Sequence, residues 1–148
     1  MRLAGLAMAA VLIAGPVAAE TDTQTYFQFQ KGKADYERYC AACHGLDAKG
    51  LGPVARFLIT RPPDLTTLAV RNEGVFPTDR VFWVIDGRGE VAAHGPREMP
   101  IWGYEFGTDD RGRIDEDART RINDIIGYLD SLQVDAIEED AAQTGPAE

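Results

Sequence analysis

Histidine, cysteine and positive charge are all scarce in this chain, and each shortage narrows what it can be. The 148 residues hold two histidines, His44 and His94, and two cysteines, Cys40 and Cys43. Fifteen Lys and Arg stand against 24 Asp and Glu, for a formal charge of −9. That balance excludes a nucleic-acid partner, whose phosphates would repel the protein. It favours partners with basic docking faces, found quickly through electrostatic steering. Beyond residue 19 no stretch is long and apolar enough to cross a bilayer, so no membrane span is expected after that point. The length suits one domain with a real core.

The N-terminus has a character of its own. Arg2 is followed by a small-residue apolar run to Ala14, which Gly15-Pro16 breaks, and Val17-Ala18-Ala19 precedes Glu20. This pattern predicts a secretory signal peptide over residues 1–19, removed near Ala19, and not a retained anchor. The mature protein is then expected outside the cytoplasm, in the periplasm of a bacterium. Loss of Arg2 moves its formal charge from −9 to −10.

The scarce residues are concentrated. Cys40-Ala41-Ala42-Cys43-His44 is a C-x-x-C-H pattern, which suits attachment of a c-type haem. Each thiol adds to one vinyl group of the porphyrin, and the following imidazole faces the iron. On a helical turn, positions i, i+3 and i+4 share one face, so the three side chains can grip the edge and centre of a flat disc together. Two other chemistries use such cysteines. A redox dithiol normally sits at a strand-to-helix boundary of an alternating α/β chain, and this chain has no such alternation. Structural zinc needs four ligands, and His94 would have to supply the last. Haem is the reading that uses every residue of the pattern.

Residues 20–28 are polar around Tyr26 and Phe27 and read as an irregular N-terminal arm. A helix is expected from about Gln28–Gln30 through Tyr39 into the haem motif, with Phe29, Gly32, Lys33, Tyr36, Tyr39 and Cys40 at helical spacing. Gly32 weakens that helix by ~1 kcal/mol relative to alanine, which points to a close helix–helix approach there. Gly45 to Pro53 is glycine-rich and predicts a loop around one edge of the haem. The Pro53 carbonyl is a candidate acceptor for the second nitrogen of His44, or the proline simply stiffens a turn. Short helices are expected over Val54–Ile59, from an Asp64 or Thr66 cap to Val70, and over Arg80–Asp86 from a Thr78 or Asp79 cap. Residues 87–114 show neither helical nor strand period and predict a long functional loop. Its turn Asp109-Asp110-Arg111-Gly112 lacks calcium-loop spacing. A last helix from Asp115 carries the stripe Ile122, Ile125, Ile126, Leu129 and Leu132. Residues 134–148 predict a disordered acidic tail.

The other face of the iron has few candidates. Met99 is the only methionine after the leader, 55 residues beyond His44 and followed by Pro100-Ile101-Trp102-Gly103. The proline restricts the backbone, and Trp102 adds an apolar wall beside a weak thioether ligand. Met99 is the expected sixth ligand, against the commoner role of core filler. His94 could compete as ligand, but an ordering hydrogen bond in the same loop is its expected role.

With these residues in view, the chain resembles the class I single-haem cytochromes c. The resemblance rests on Cys40, Cys43 and His44, Gly50-Leu51-Gly52-Pro53, Pro63-Asp64-Leu65-Thr66, Met99-Pro100-Ile101-Trp102-Gly103 and Ile125-Ile126-Gly127-Tyr128-Leu129. It spans about residues 29–132, within a domain drawn at 29–133. It implies an all-α cytochrome c fold of about four to five helices around one covalently attached haem c. The first and last helices would cross near Gly32, Tyr36, Ile125 and Tyr128, with His44 and Met99 as axial ligands. The lysine-rich docking face usual in the family is missing, since Lys31, Lys33 and Lys49 are the only lysines. The expected function is one-electron transfer between redox proteins, with no substrate bond made or broken. The chain would act as a monomeric carrier or as a tightly bound subunit of a larger redox enzyme. A gas sensor or catalytic haem needs a vacant sixth position, against which Met99 argues.

Overall fold

The computed structural model describes residues 18–87 and 99–134. Residues 1–17 of the predicted signal peptide, His94 and nearly all of the acidic tail lie outside the described residues. Among those described there are five α-helices and no strand, so the fold is all-α as expected. In order they are α1 (Ala18–Tyr39), α2 (Ala41–His44), α3 (Thr78–Asp86), α4 (Trp102–Phe106) and α5 (Glu116–Asp130).

Helices α1 and α5 form the frame. Gly32 is the reason they can: a Cβ built there would lie 1.9 Å from the carbonyl oxygen of Asp124. Backbone meets backbone at this crossing, and only hydrogen fits between. Around it Tyr36, Ile122 and Ile125 are wholly buried. Tyr128 packs on Tyr36 with ring centroids 5.3 Å apart and on Phe29 at 5.5 Å. The four residues expected at the crossing all lie there.

A second link ties the same helices. Arg121 donates from Nε to Asp35 Oδ2 at 2.9 Å and from a terminal nitrogen to Oδ1 at 2.8 Å. Its guanidinium also lies over the Phe106 ring at 4.2 Å. This fork is partly buried, so its worth falls between that of a surface pair and that of a desolvated one. Asp35→Ala is expected to lower unfolding free energy by about 1–2 kcal/mol, read from urea midpoints at constant slope.

The structure corrects the N-terminal arm. Helix α1 begins at Ala18, so residues 20–28 are helical and not irregular. From Thr23 to Gln28 every residue is exposed, and a helix that buries no face leaves no hydrophobic period. The segment after the motif is also tighter than expected, with 3₁₀ turns at Ala55–Phe57 and Val70–Asn72 in place of two short α-helices. Asp64 accepts from the N–H of Thr66 at 2.8 Å, but this closes a turn and caps no helix. Helix α3 already includes Thr78, with Pro77 at its N-cap and Gly87 closing it in the left-handed conformation. Asp115 caps α5 by accepting from the Ala118 N–H at 2.8 Å. Val134, drawn into the tail from sequence, instead donates its N–H to the Thr66 carbonyl at 2.9 Å.

Candidate haem-binding site

The C-x-x-C-H segment forms its own helical turn. Cys40 stays near helical geometry at the end of α1, and its carbonyl accepts from Cys43 at 3.1 Å and His44 at 2.9 Å. Residues i, i+3 and i+4 therefore share a face, as the spacing predicted. The following loop folds back over this turn. The N–H groups of Gly50, Gly52 and Val54 donate to the carbonyls of His44, Cys43 and Ala42 at 2.7, 3.1 and 2.9 Å. The Gly45 carbonyl takes the Tyr36 hydroxyl at 2.7 Å. Each carbonyl from Cys40 to Gly45 is thus satisfied, which fixes the turn without help from the helix interior.

Tyr36 is wholly buried beneath that loop, and burial raises its pKa well above the usual tyrosine range, with Cys40, Tyr128 and Asp47 adding in the same direction. The native state therefore keeps this proton where the unfolded chain loses it, above about pH 10. Stability from this group is complete below that pH and falls as pH rises beyond it. Tyr128 is shifted in the same direction, mainly by burial. Tyr36→Phe is expected to cost about 1 kcal/mol at neutral pH and to flatten, without abolishing, the decline above about pH 10. Urea unfolding across that range measures both.

Over the C-x-x-C-H face lies a cavity of about 290 Å³. Its walls are Tyr36, Cys40 and His44 on one side, Val81 and Ile85 of α3 on another, Ile125 and Leu129 of α5 behind, and Met99. A smaller lobe of about 60 Å³ adds Cys43, Leu58 and Trp102. Cys40, His44, Pro63 and Met99 border both spaces. One mostly apolar slot therefore has His44 and Met99 in its walls and the two cysteines beside them, of a size with cofactor sites. Its charged lining is cationic: Arg71 and Arg80 at the main cavity, Arg61 at the lobe. A flat apolar macrocycle bearing two carboxylates fits walls and rim alike.

The redox-dithiol chemistry fits poorly. Burial, and after it the nearby Asp35 and Cys43, pushes the Cys40 thiol up to about 12, whereas a redox dithiol needs a lowered pKa. Among the described residues no group of three or more His, Cys, Asp and Glu is placed to hold a metal ion.

Met99 reaches the slot on a strap between α3 and α4. Trp102 opens α4, stacks on Phe106 at 5.6 Å and meets the Tyr39 ring edge-on at 5.4 Å. Gly103 is pressed against Asp86, whose Oδ1 would stand 2.1 Å from a Cβ there. The strap is thus fixed to α1 through an aromatic cluster and to the end of α3 through a fully buried carboxylate. Trp102 lines the smaller lobe. Pro53 faces a shallow surface groove, and its carbonyl does not accept from His44 Nδ1. Sequence reasoning missed Arg71 and Arg80 at the cavity and the Asp86–Gly103 contact. Arg71 sits in a 3₁₀ turn and Arg80 in the first turn of α3, and neither local pattern says that its side chain borders the cavity. Asp86 was read only as the end of a helix.

An all-α fold around a cysteine- and histidine-bearing apolar slot defines a haem protein of the c-type. The chain belongs to the c-type cytochrome family: the profile of the family described as cytochrome c oxidase, cbb3-type, subunit III, matches residues 27–114, more than half its length. This membership carries haem c binding and a haem-based electron-transfer role. No curated protein and no solved structure matches the chain. Among the described residues no helix is long and apolar enough to cross a membrane.

Proposed function

We propose that the chain is a periplasmic one-electron carrier holding a single haem c through thioether bonds from Cys40 and Cys43. His44 and Met99 are its axial ligands. The observation that carries the reading is the one slot bordered by both of these side chains and by Cys40, with Cys43 at its smaller lobe. Haem iron, when bound, supplies the one-electron couple. The chain's residues hold that couple in place. His44 offers a strong nitrogen donor from a fixed helical turn, and Met99 offers a soft thioether that favours the reduced state. Val81, Ile85, Ile125 and Leu129 would keep water from the bound group. Arg61, Arg71 and Arg80 offer positive charge to its carboxylates.

Absorption spectra of the purified protein, oxidised, reduced and reduced under carbon monoxide, test this directly. A six-coordinate low-spin spectrum with the oxidised sulfur-to-iron band, unchanged by carbon monoxide, is expected. Prompt carbon monoxide binding by intact protein would instead make the sixth position open and the carrier reading wrong.

A second reading, a subunit held permanently in a larger redox enzyme, has two supports. The matching family is described as an oxidase subunit. Tyr26 and Phe27 are 61% and 59% exposed on α1, where they would suit a protein contact. Sedimentation of the native protein as a lone monomer would count against it.

A further inference from the structure

One wall of the slot has no α-helix of its own to hold it. Leu65, Leu68, Arg71 and Asn72 all line the main cavity, yet the segment that carries them contains only the 3₁₀ turn Val70–Asn72. Its place is set by bonds to other parts of the chain. The Leu65 N–H donates at 2.8 Å to the carbonyl of Ala48, on the loop that follows the C-x-x-C-H turn. The other bonds come from just beyond α5. Gln133 Nε2 donates to the Leu65 carbonyl at 2.9 Å, and its Oε1 accepts from the Ala69 N–H at 2.9 Å. Nε2 also donates to the Leu129 carbonyl at 2.7 Å, which holds the side chain to its own helix. Next to it, the Val134 N–H donates to the Thr66 carbonyl. Arg71 moves with this wall. Its Nε donates to the Thr67 carbonyl at 3.2 Å and a terminal nitrogen to the Asp64 carbonyl, so the guanidinium is bonded back onto the same segment.

We infer that Gln133 is a positioning residue for the redox centre: it holds the wall of residues 65–72, and Arg71 with it, against the bound haem and so keeps the reduction potential high. The inference rests on the proposed carrier function. Gln133 lines neither space of the slot, so it acts through the wall alone. Ferric iron carries one more positive charge than ferrous iron. Uncompensated carboxylates and water nearby therefore both favour the ferric state. Arg71 opposes the first, and the apolar side chains of Leu65 and Leu68 oppose the second. A wall released from Gln133 takes both protections with it. The amide is hard to replace, because it offers two donors and an acceptor on one short stem. A glutamate keeps the acceptor for Ala69 but turns its second oxygen on the carbonyls of Leu65 and Leu129. A methionine of similar length makes none of the three bonds.

The test is redox titration of the haem-loaded full chain. Gln133→Met is expected to move the ferric–ferrous equilibrium about tenfold toward ferric, which is about 59 mV for a one-electron couple. Gln133→Glu should move it at least as far, since two carbonyls then face an anion. Arg71→Gln, at an exposed side chain, should lower the potential too. Added to Arg71→Gln, Gln133→Met should move the equilibrium only about threefold further, because both changes withdraw the same charge. A role in stability alone would leave the potential in place and the two changes independent. Hydrogen exchange of the wild type adds a measurement that needs no variant to fold. The Ala69 amide should exchange with the core amides of α5, although its own segment has no helical ladder. A potential unmoved in both Gln133 variants, full additivity with Arg71→Gln, or an Ala69 amide that exchanges as fast as an exposed one would overturn the proposal. Iron ligation separates the two hypotheses. A wild type without the sulfur-to-iron band is a failure of the carrier reading, whereas a normal band with an unmoved potential is a failure of the Gln133 assignment alone.

Discussion

Gly32→Ala is expected to destabilise the protein by about 3 kcal/mol, at the upper end of overpacking costs. A midpoint roughly 10–20 °C lower would follow for a domain of this size. The helix itself would gain ~1 kcal/mol from the alanine, so the sign of the result is informative. The added methyl has nowhere to go, because the nearest atoms are the carbonyl oxygen and carbon of Asp124, at 1.9 and 2.5 Å. Backbone cannot rotate aside as a side chain does. Helices α1 and α5 must separate, and the contacts of Tyr36 with Tyr128 and of Ile125 with the core are lost together. Calorimetry of the haem-loaded protein measures the effect. A change within about 0.5 kcal/mol of zero, the range of ordinary surface substitutions, would mean the helices do not approach as described.

Met99→Ala carries the larger functional effect. It removes the thioether from the slot that His44 also borders. The sulfur-to-iron band is expected to vanish, carbon monoxide to bind promptly, and the reduction potential to fall by on the order of 0.2 V, within the ~0.8 V that axial ligands span. Met99→His should restore a low-spin spectrum while keeping a low potential. His94→Ala is the control, expected to keep the sulfur band intact. Loss of that band in His94→Ala with its persistence in Met99→Ala would exchange the roles of the two residues.

How far the sequence revealed all this depends on what each feature leaves in it. Cys40, Cys43 and His44 were legible because their chemistry dictates their spacing. Gly32 was legible because a costly residue in a helix demands a reason, and the helix crossing supplies it. Met99 stood out through scarcity. The first turns of α1 were not legible, since Thr23 to Gln28 bury nothing. Nor was α4, whose five residues are too few to show a period. The cationic rim was missed for a different reason: Arg71 and Arg80 are brought to the cavity by tertiary folding from opposite sides of an irregular segment. The Asp86–Gly103 contact is likewise a product of packing, with no local signature.

The two walls of the slot also differ in how far along the chain they must be gathered. On the histidine side, the bonds that close the C-x-x-C-H turn join residues about a dozen positions apart or fewer. Met99, by contrast, is 55 residues downstream of His44, on a strap that depends on α1 and α3 already being in place. Closing a short loop costs less entropy and happens sooner than assembling a distant strap. The cysteines and His44 can thus be presented while the rest of the chain is still unformed, and Met99 is the last piece to arrive. In reverse, Met99 depends on packing between distant elements, whereas the C-x-x-C-H turn is held by local bonds. Under heat or denaturant, Met99 is expected to leave the slot while His44 still holds its place in the closed turn.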